Sequence, residues 1–170
     1  TISRICREAS HIAAVSQSLA KGLEKVSGQR GISVIPNIID FGDSSLEESN
    51  NEKIQIAIVA DLVDGIKNIS GVLKALANVK NRLPSFSLQI VGEGPDSDTL
   101  KELTGKLGLD QVVEFLGRKD HSEVMAFLPT IDFLVTNSHS ETFSIVTAEA
   151  ISCGKPVIVT RCGGPEEWFR

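Results

Sequence analysis

Residues 132–162 read DFLVTNSHSETFSIVTAEAISCGKPVIVTRC, and their order decides the fold class. An apolar run, DFLVTNS (132–138), gives way to a polar loop, SHSE. A helical stretch, TFSIVTAEAISCG (142–154), follows, and KPVIVTRC (155–162) is a second apolar run. Gly154 followed by Lys155-Pro156 is a helix stop that feeds a strand, because glycine accepts the left-handed cap and proline cannot continue a helix. Strand, helix, strand at this spacing implies a right-handed crossover between parallel strands.

The same alternation extends through the rest of the chain. Further apolar runs are HIAAVS (11–16), ISVIPNII (32–39), KIQIAIVAD (53–61), SFSLQIVG (85–92) and VVEFLG (112–117). They are apolar on both parities, as a strand must be when helices cover both faces of its sheet. Between them lie helical patterns: SQSLAKGLEKV (16–26), NISGVLKALANVKNRL (68–83), SDTLKELTGKLG (97–108) and HSEVMAFL (121–128). Asn68 or Ser70 is the expected cap of the second of these helices, Ser97 or Asp98 of the third, with Gly105 and Gly108 where the third should stop. Asp120 or Ser122 is placed to cap the next. The reading is an α/β domain with a mostly parallel sheet. FGDSSLEESNNEK (41–53) is polar and acidic and reads as a solvated loop or short linker.

The chain has 170 residues, 41% hydrophobic and 23% charged, which is one globular domain of ordinary size and excludes disordered and collagen-like classes. No apolar run reaches the ~20 residues that span a bilayer, and TISRICREAS (1–10) carries charges where a signal peptide needs an apolar core. A formal charge of −5 disfavours general binding to nucleic acid or anionic lipid. Cys6, Cys153 and Cys162 lack metal-ligand spacing and read as small thiols in a reducing compartment. His11, His121 and His139 are scattered. The chain stops in GGPEEWFR, the first turn or two of an expected helix, where Trp168 and Phe169 would have little to pack on; this reads as a truncated chain.

In an open parallel sheet, ligands bind at the carboxyl ends of the strands. Four strand-to-helix loops qualify. In ADLVDGIKN (60–68), Lys67 sits at the expected start of a helix, where the macrodipole disfavours a cation. An anion held by Lys67 and the helix amides would explain it; a solvated surface lysine is the plainer reading. VGEGPDSD (91–98) has two glycines of a dinucleotide fingerprint but Ser97 at the third position, so a plain turn is the simpler reading. In FLGRKDHSE (115–123), Arg118 either faces the cleft or is solvated. In the fourth loop the amides of residues 142–146 form an expected anion seat. Glu141 lies just before this helix and Glu149 two turns in, about 80° apart in azimuth on a continuous helix. Two carboxylates beside an anion seat suit a polyol that carries phosphate; the bland alternative is a capping glutamate and a surface glutamate.

SETFSIVTAEAISCGKPVIVTRCGGPEE (140–167) resembles the carboxyl-terminal domain of family 4 glycosyltransferases, enzymes of the GT-B fold. The residues that carry the resemblance are Glu141, Glu149, SCGKPVI (152–158) and Gly163-Gly164. HIAAVSQSLAKGL, SVIPNIIDF, LQIVGEGPD and VVEFLGR follow the family's order, so the resemblance covers nearly the whole chain. It implies a Rossmann-like sheet forming one half of a GT-B enzyme, and a retaining transfer of a sugar from a nucleotide-diphosphate donor. By matching position, Lys67 and Glu141 would be catalytic, Lys67 neutralising the departing diphosphate and Glu141 holding the sugar hydroxyls. The amides of Phe143, Ser144 and Ile145 would take the diphosphate, with Val146 near the nucleotide, Glu149 on the ribose, and Leu116 and Arg118 lining the base. No metal and no cofactor besides the nucleotide sugar is implied.

Two departures stand out: the chain reads Ala60-Asp61 where the family often has Gly-Arg, and Lys67 lies one residue later than the commonest spacing. The resemblance further implies that residues 1–39 enter from an amino-terminal domain that binds the acceptor. This fragment alone would then be catalytically incompetent, and membrane contact would belong to the other half of a cytoplasmic protein. Polysaccharide or lipopolysaccharide assembly is the use expected by analogy. A nucleotide-sugar epimerase of related fold and a non-catalytic nucleotide-binding module are the alternatives, with hydride transfer more distant.

Overall fold

The computed structural model describes residues 2–39 and 53–168. The acidic stretch 41–53 falls outside these apart from Lys53, as does Phe169. The chain opens with α1 (Ile2–Glu8), β1 (Ala13–Ala14), α2 (Gln17–Ser27) and β2 (Ser33–Val34). β1 and β2 pair in parallel as a separate two-stranded sheet. Two of the seven expected strands are therefore only two residues long and stand apart from the main sheet.

The main body continues with β3 (Ile54–Val59), α3 (Asp64–Lys67), α4 (Ile69–Val79), β4 (Phe86–Val91) and α5 (Ser97–Lys106). It closes with β5 (Val113–Gly117), α6 (His121–Phe127), β6 (Phe133–Thr136), α7 (Ile145–Ser152) and β7 (Val157–Val159). Its five strands run in the order β5-β4-β3-β6-β7, all pairs parallel. The parallel sheet is the one expected from the alternation, and the arrangement is the Rossmann-like one that the resemblance implied. The winding direction reverses between β3 and β6.

The two-faced apolarity of the strands has a direct structural use. Ile56, Ile58, Leu88 and Ile90 point into one core, which α4 closes with Leu73 and Leu76 and α5 with Leu100. Ala57 and Val91, of the other parity, point into a second core with Val124, Leu128, Leu134 and Ala150. Leu88, Ile90 and Leu134 are fully buried, and each such side chain stabilises the fold by roughly 1.5–3 kcal/mol relative to exposure. Among the described residues no helix is long and apolar enough to cross a membrane.

Several helix ends differ from expectation. Asn68 stands at the α4 N-cap but is left-handed, with φ 48°, and makes no side-chain cap bond. Instead the Asp64 carboxylate accepts the Ser70 N–H. At α5 the N-cap is Asp96, whose carboxylate turns to the Asp64 N–H, while Ser97 Oγ bonds Gly94. The Asp64 carboxylate thus caps α4 from the preceding helix, while the Asp96 carboxylate ties the start of α5 to the start of α3. Asp120 does cap α6, in a reciprocal box with Glu123. Trp168 is packed: its ring meets Phe143 edge-on, with centroids 4.7 Å apart.

Candidate functional site

The β3/β6 switch point opens at the carboxyl ends of the strands into a cleft of about 560 Å³, bordered by the loops after β3, β4, β5 and β6. A smaller hollow of about 110 Å³ lies between β3, β6 and the start of α7.

The loop after β4 is shaped by its two glycines. Gly92 has φ +135°, and a Cβ there would lie 1.9 Å from the Ala60 carbonyl oxygen; one on Gly94 would lie 2.5 Å from that of Leu62. The Leu62 N–H donates to the Glu93 carbonyl and the Asp96 N–H to that of Leu62. The Gly-x-Gly spacing thus serves backbone contact between two loops at the cleft floor.

Lys67 closes the one-turn helix α3 instead of opening a helix. A cation at a helix carboxyl end is favoured, so its position in the sequence needs no ligand to explain it. Its side chain is more telling. Lys67 Nζ donates to Glu141 Oε1 at 2.7 Å, with both side chains largely buried. Ser138 Oγ donates to the same oxygen, also at 2.7 Å. The Glu141 N–H donates to the Cys162 carbonyl, and Glu141 bridges Gly163 in parallel register.

α7 begins at Ile145, three residues later than expected. Glu141 is therefore held by a bridge and not by the helix, and it shares no helical azimuth with Glu149. Ser144 is the N-cap, left-handed with φ 64°, and its hydroxyl pairs with Thr147 Oγ1 at 2.7 Å instead of capping the backbone. A left-handed serine is unusual and marks local strain. The backbone N–H groups of Thr147 and Ala148 both reach the Ser144 carbonyl. Those of Ile145 and Val146 meet no acceptor among the described residues, so they are the free donors of the helix tip.

Lys67, Glu141, Phe143, Ser144, Ile145 and Arg118 all line the larger cleft. Val146 lines the hollow beneath it. Leu116 does not join them; it packs against the second core. Glu149 also lies outside both linings. It stands on the second turn of α7, 6% exposed, and its Oε1 pairs with His121 Nε2 at 2.8 Å. Asp61 borders the cleft with Glu93, Lys119 and Asn37. The lining holds three cations and three carboxylates, so any pull on an anion is local to the Lys67 and helix-tip corner.

His121, Ser138, Lys119 and Asn37 were not singled out from sequence. His121 opens a helix directly after a capping aspartate, at the carboxyl end of a strand, and that placement is the signal that could have found it. The Asp120 carboxyl is held below its usual range by the Glu123 backbone N–H and the Ser122 hydroxyl. Burial pushes the Cys162 thiol up, against the hydrogen bond with Thr160. The three cysteines are free.

The sequence profile described as "Glycosyl transferases group 1" matches residues 43–170. The chain is 33% identical over 139 residues to one component of human phosphatidylinositol N-acetylglucosaminyltransferase, covering 80% of this chain and 28% of that protein. It is 30% identical over 165 residues to N-acetyl-alpha-D-glucosaminyl L-malate synthase of Bacillus anthracis, covering 92% of this chain and 42% of that one. The chain thus spans less than half the length of these relatives. Among solved structures, Anabaena HepE in complex with UDP and glucose superimposes with a TM-score of 0.81 at 25% identity, over 98% of this chain and 48% of that one.

Proposed function

Because the chain belongs to the group 1 glycosyl transferases, we propose that it is the donor-binding half of a retaining glycosyltransferase that takes a sugar from a nucleotide-diphosphate donor. The observation that carries the reading is the Lys67–Glu141 pair set beside Ile145, whose amide is free, in the cleft at the switch point, with Val146 and its free amide at the hollow beneath. An ammonium and a helix tip suit a diphosphate, and Glu141 keeps an oxygen for a sugar hydroxyl. As the sugar–oxygen bond breaks, its electron pair goes to the departing diphosphate, and Lys67 and the tip stabilise that growing charge. The amides of Phe143 and Ser144 complete the seat, Val146 flanks the nucleotide and Arg118 borders the base. Glu149 takes the ribose.

Support for a nucleotide sugar comes from the HepE structure, which holds UDP and glucose. The family match favours the transferase over the epimerase and hydride-transfer readings. Residues 1–39 enter from the domain that binds the acceptor. Their separate two-stranded sheet is consistent with this. Polysaccharide or lipopolysaccharide assembly is the acceptor chemistry we propose, by analogy, and any membrane contact is made by that other half.

Calorimetric titration with UDP and GDP tests the donor site, and transfer assays on a protein that carries this chain test the reaction. The expected result is saturable binding of one nucleotide, lost in Lys67→Ala, with sugar transfer that requires an acceptor. Equal binding by the parent and Lys67→Ala would remove the diphosphate assignment.

A further inference from the structure

We infer that His121 is a positioning residue for the Glu149 carboxylate, setting the oxygen that Glu149 offers to a ribose hydroxyl. The inference rests on the reading of Glu149 as the ribose contact.

Glu149 is buried to 6% exposure, and a carboxylate in that setting needs a strong partner. Its Oε1 has one, His121 Nε2 at 2.8 Å. An ionised carboxylate only accepts, so Nε2 carries the proton in either charge state of the ring. No fully buried side-chain polar atom among the described residues lacks a partner. Glu149 Oε2 has no hydrogen bond among the described residues and so keeps a small exposed surface, on a side chain that is 9% exposed. One oxygen is anchored and the other is left for a ligand.

The anchor is itself held in place. His121 is the first residue of α6, directly after Asp120. The Asp120 carboxylate accepts the Glu123 N–H and the Ser122 hydroxyl, while Glu123 Oε2 accepts the Asp120 N–H. This box fixes the backbone from which the imidazole reaches across to α7. The ring is 76% exposed, so it contributes little to the core. An exposed ring on a rigid helix start, bonded to a buried acid 28 residues away, is an arrangement for orienting that acid. Arg118, which borders the cleft, lies three residues before it.

The test is calorimetric titration of the purified protein with UDP and GDP, each against its 2′-deoxy and 3′-deoxy counterparts, for the parent, Glu149→Ala, His121→Ala and His121→Gln. In the parent, removing the contacted hydroxyl is expected to weaken binding roughly tenfold, the scale of a hydrogen bond to a charged group. In His121→Ala that penalty falls below about threefold, and His121→Gln, whose amide can donate to Oε1, regains most of it. In a protein that carries this chain together with its acceptor domain, assayed with a sugar donor, His121→Ala raises KM and leaves kcat within about twofold, the pattern of lost ground-state binding. If Glu149→Ala loses the ribose discrimination while His121→Ala keeps it, the positioning role is wrong and the ribose contact stands. If both keep it, or neither nucleotide binds the parent, the ribose reading fails and takes this inference with it. Thermal melts of both His121 variants within a few degrees of the parent show that the fold is intact.

Discussion

Lys67 Nζ and Glu141 Oε1 lie 2.7 Å apart at the mouth of the β3/β6 switch point, joining the end of α3 to the loop after β6 across 74 residues of sequence. The Ser138 hydroxyl shares the same carboxylate oxygen. Removing one partner leaves a charge that is part-buried and poorly compensated, which destabilises more than removing both. Lys67→Met is expected to cost about 1–3 kcal/mol in urea unfolding, below the fully buried case because the pair opens to a cleft. The double variant Lys67→Met with Glu141→Gln should recover a good part of that loss. In binding, the two single changes should weaken nucleotide diphosphate unequally: Lys67→Met by roughly ten- to a hundredfold, Glu141→Gln by much less, because only the lysine supplies positive charge.

A second prediction concerns the cleft floor. Gly92→Ala would drive a Cβ into the Ala60 carbonyl at 1.9 Å, in a backbone conformation with φ +135° that side chains resist. The β3 and β4 loops would have to part, and loss of more than about 3 kcal/mol is expected, seen as a collapse of the thermal midpoint. Gly22, inside α2, has nothing within 4 Å of its Cβ position. Gly22→Ala should raise stability by roughly 0.5–1 kcal/mol, the helix-propensity difference. Opposite signs from the same substitution separate backbone contact from mere composition.

The main sheet was legible because its signal is local: Ile56 and Ile58 face one core and Ala57 and Val59 the other, and that two-parity pattern is written directly in IQIAIV. The Asp120 cap was legible for the same reason. What could not be read depended on distance. The α4 start takes its cap not from Asn68 or Ser70 but from Asp64, on the preceding helix, and the Asp96 carboxylate at the α5 start turns to the Asp64 N–H. The start of α7 was misplaced because Ser144 adopts a left-handed conformation that no residue type announces. Glu149 and His121 meet across 28 residues, and neither carries a local mark of the other. The dipole argument for Lys67 fails, since it closes α3, and its pairing with Glu141 across 74 residues has no local mark in the sequence.

Cys162 supplies a pH prediction. Burial raises its thiol above the ordinary value, so the folded state holds its proton to higher pH than the unfolded state does. The stabilisation is complete below the unfolded thiol value and fades as pH rises through the folded one. Unfolding midpoints should therefore begin to fall as pH rises past the ordinary thiol value of about 8.5, and Cys162→Ala should flatten that decline. Alkylation at pH 8 should modify Cys6 and Cys153, both part-exposed, well before the buried Cys162.

The last prediction follows from how the chain is tied together. The backbone N–H groups of Gln17 and Ser18, at the start of α2, donate to the two oxygens of Glu167 at 3.0 and 2.7 Å. Leu19 donates to Ser16 Oγ and Ala20 to the Ser16 carbonyl, so all four leading amides of the helix are satisfied. A carboxylate at this end also meets the positive pole of the macrodipole. Glu167 belongs to the short 3-10 turn Gly164–Glu167, which follows the Gly163 bridge to Glu141. The same short segment therefore touches the site and holds α2. Glu167→Ala should cost about 1–2 kcal/mol, the range for a lost helix cap, and lower the thermal midpoint by a few degrees. Glu167→Gln keeps one acceptor but not the charge and should recover about half. Hydrogen exchange should show the loss concentrated at Gln17 and Ser18. If the tie only serves α2, exchange at the Glu141 amide, bonded to the Cys162 carbonyl, stays unchanged. If it also braces the site, that amide quickens in Glu167→Ala, and nucleotide affinity falls with it.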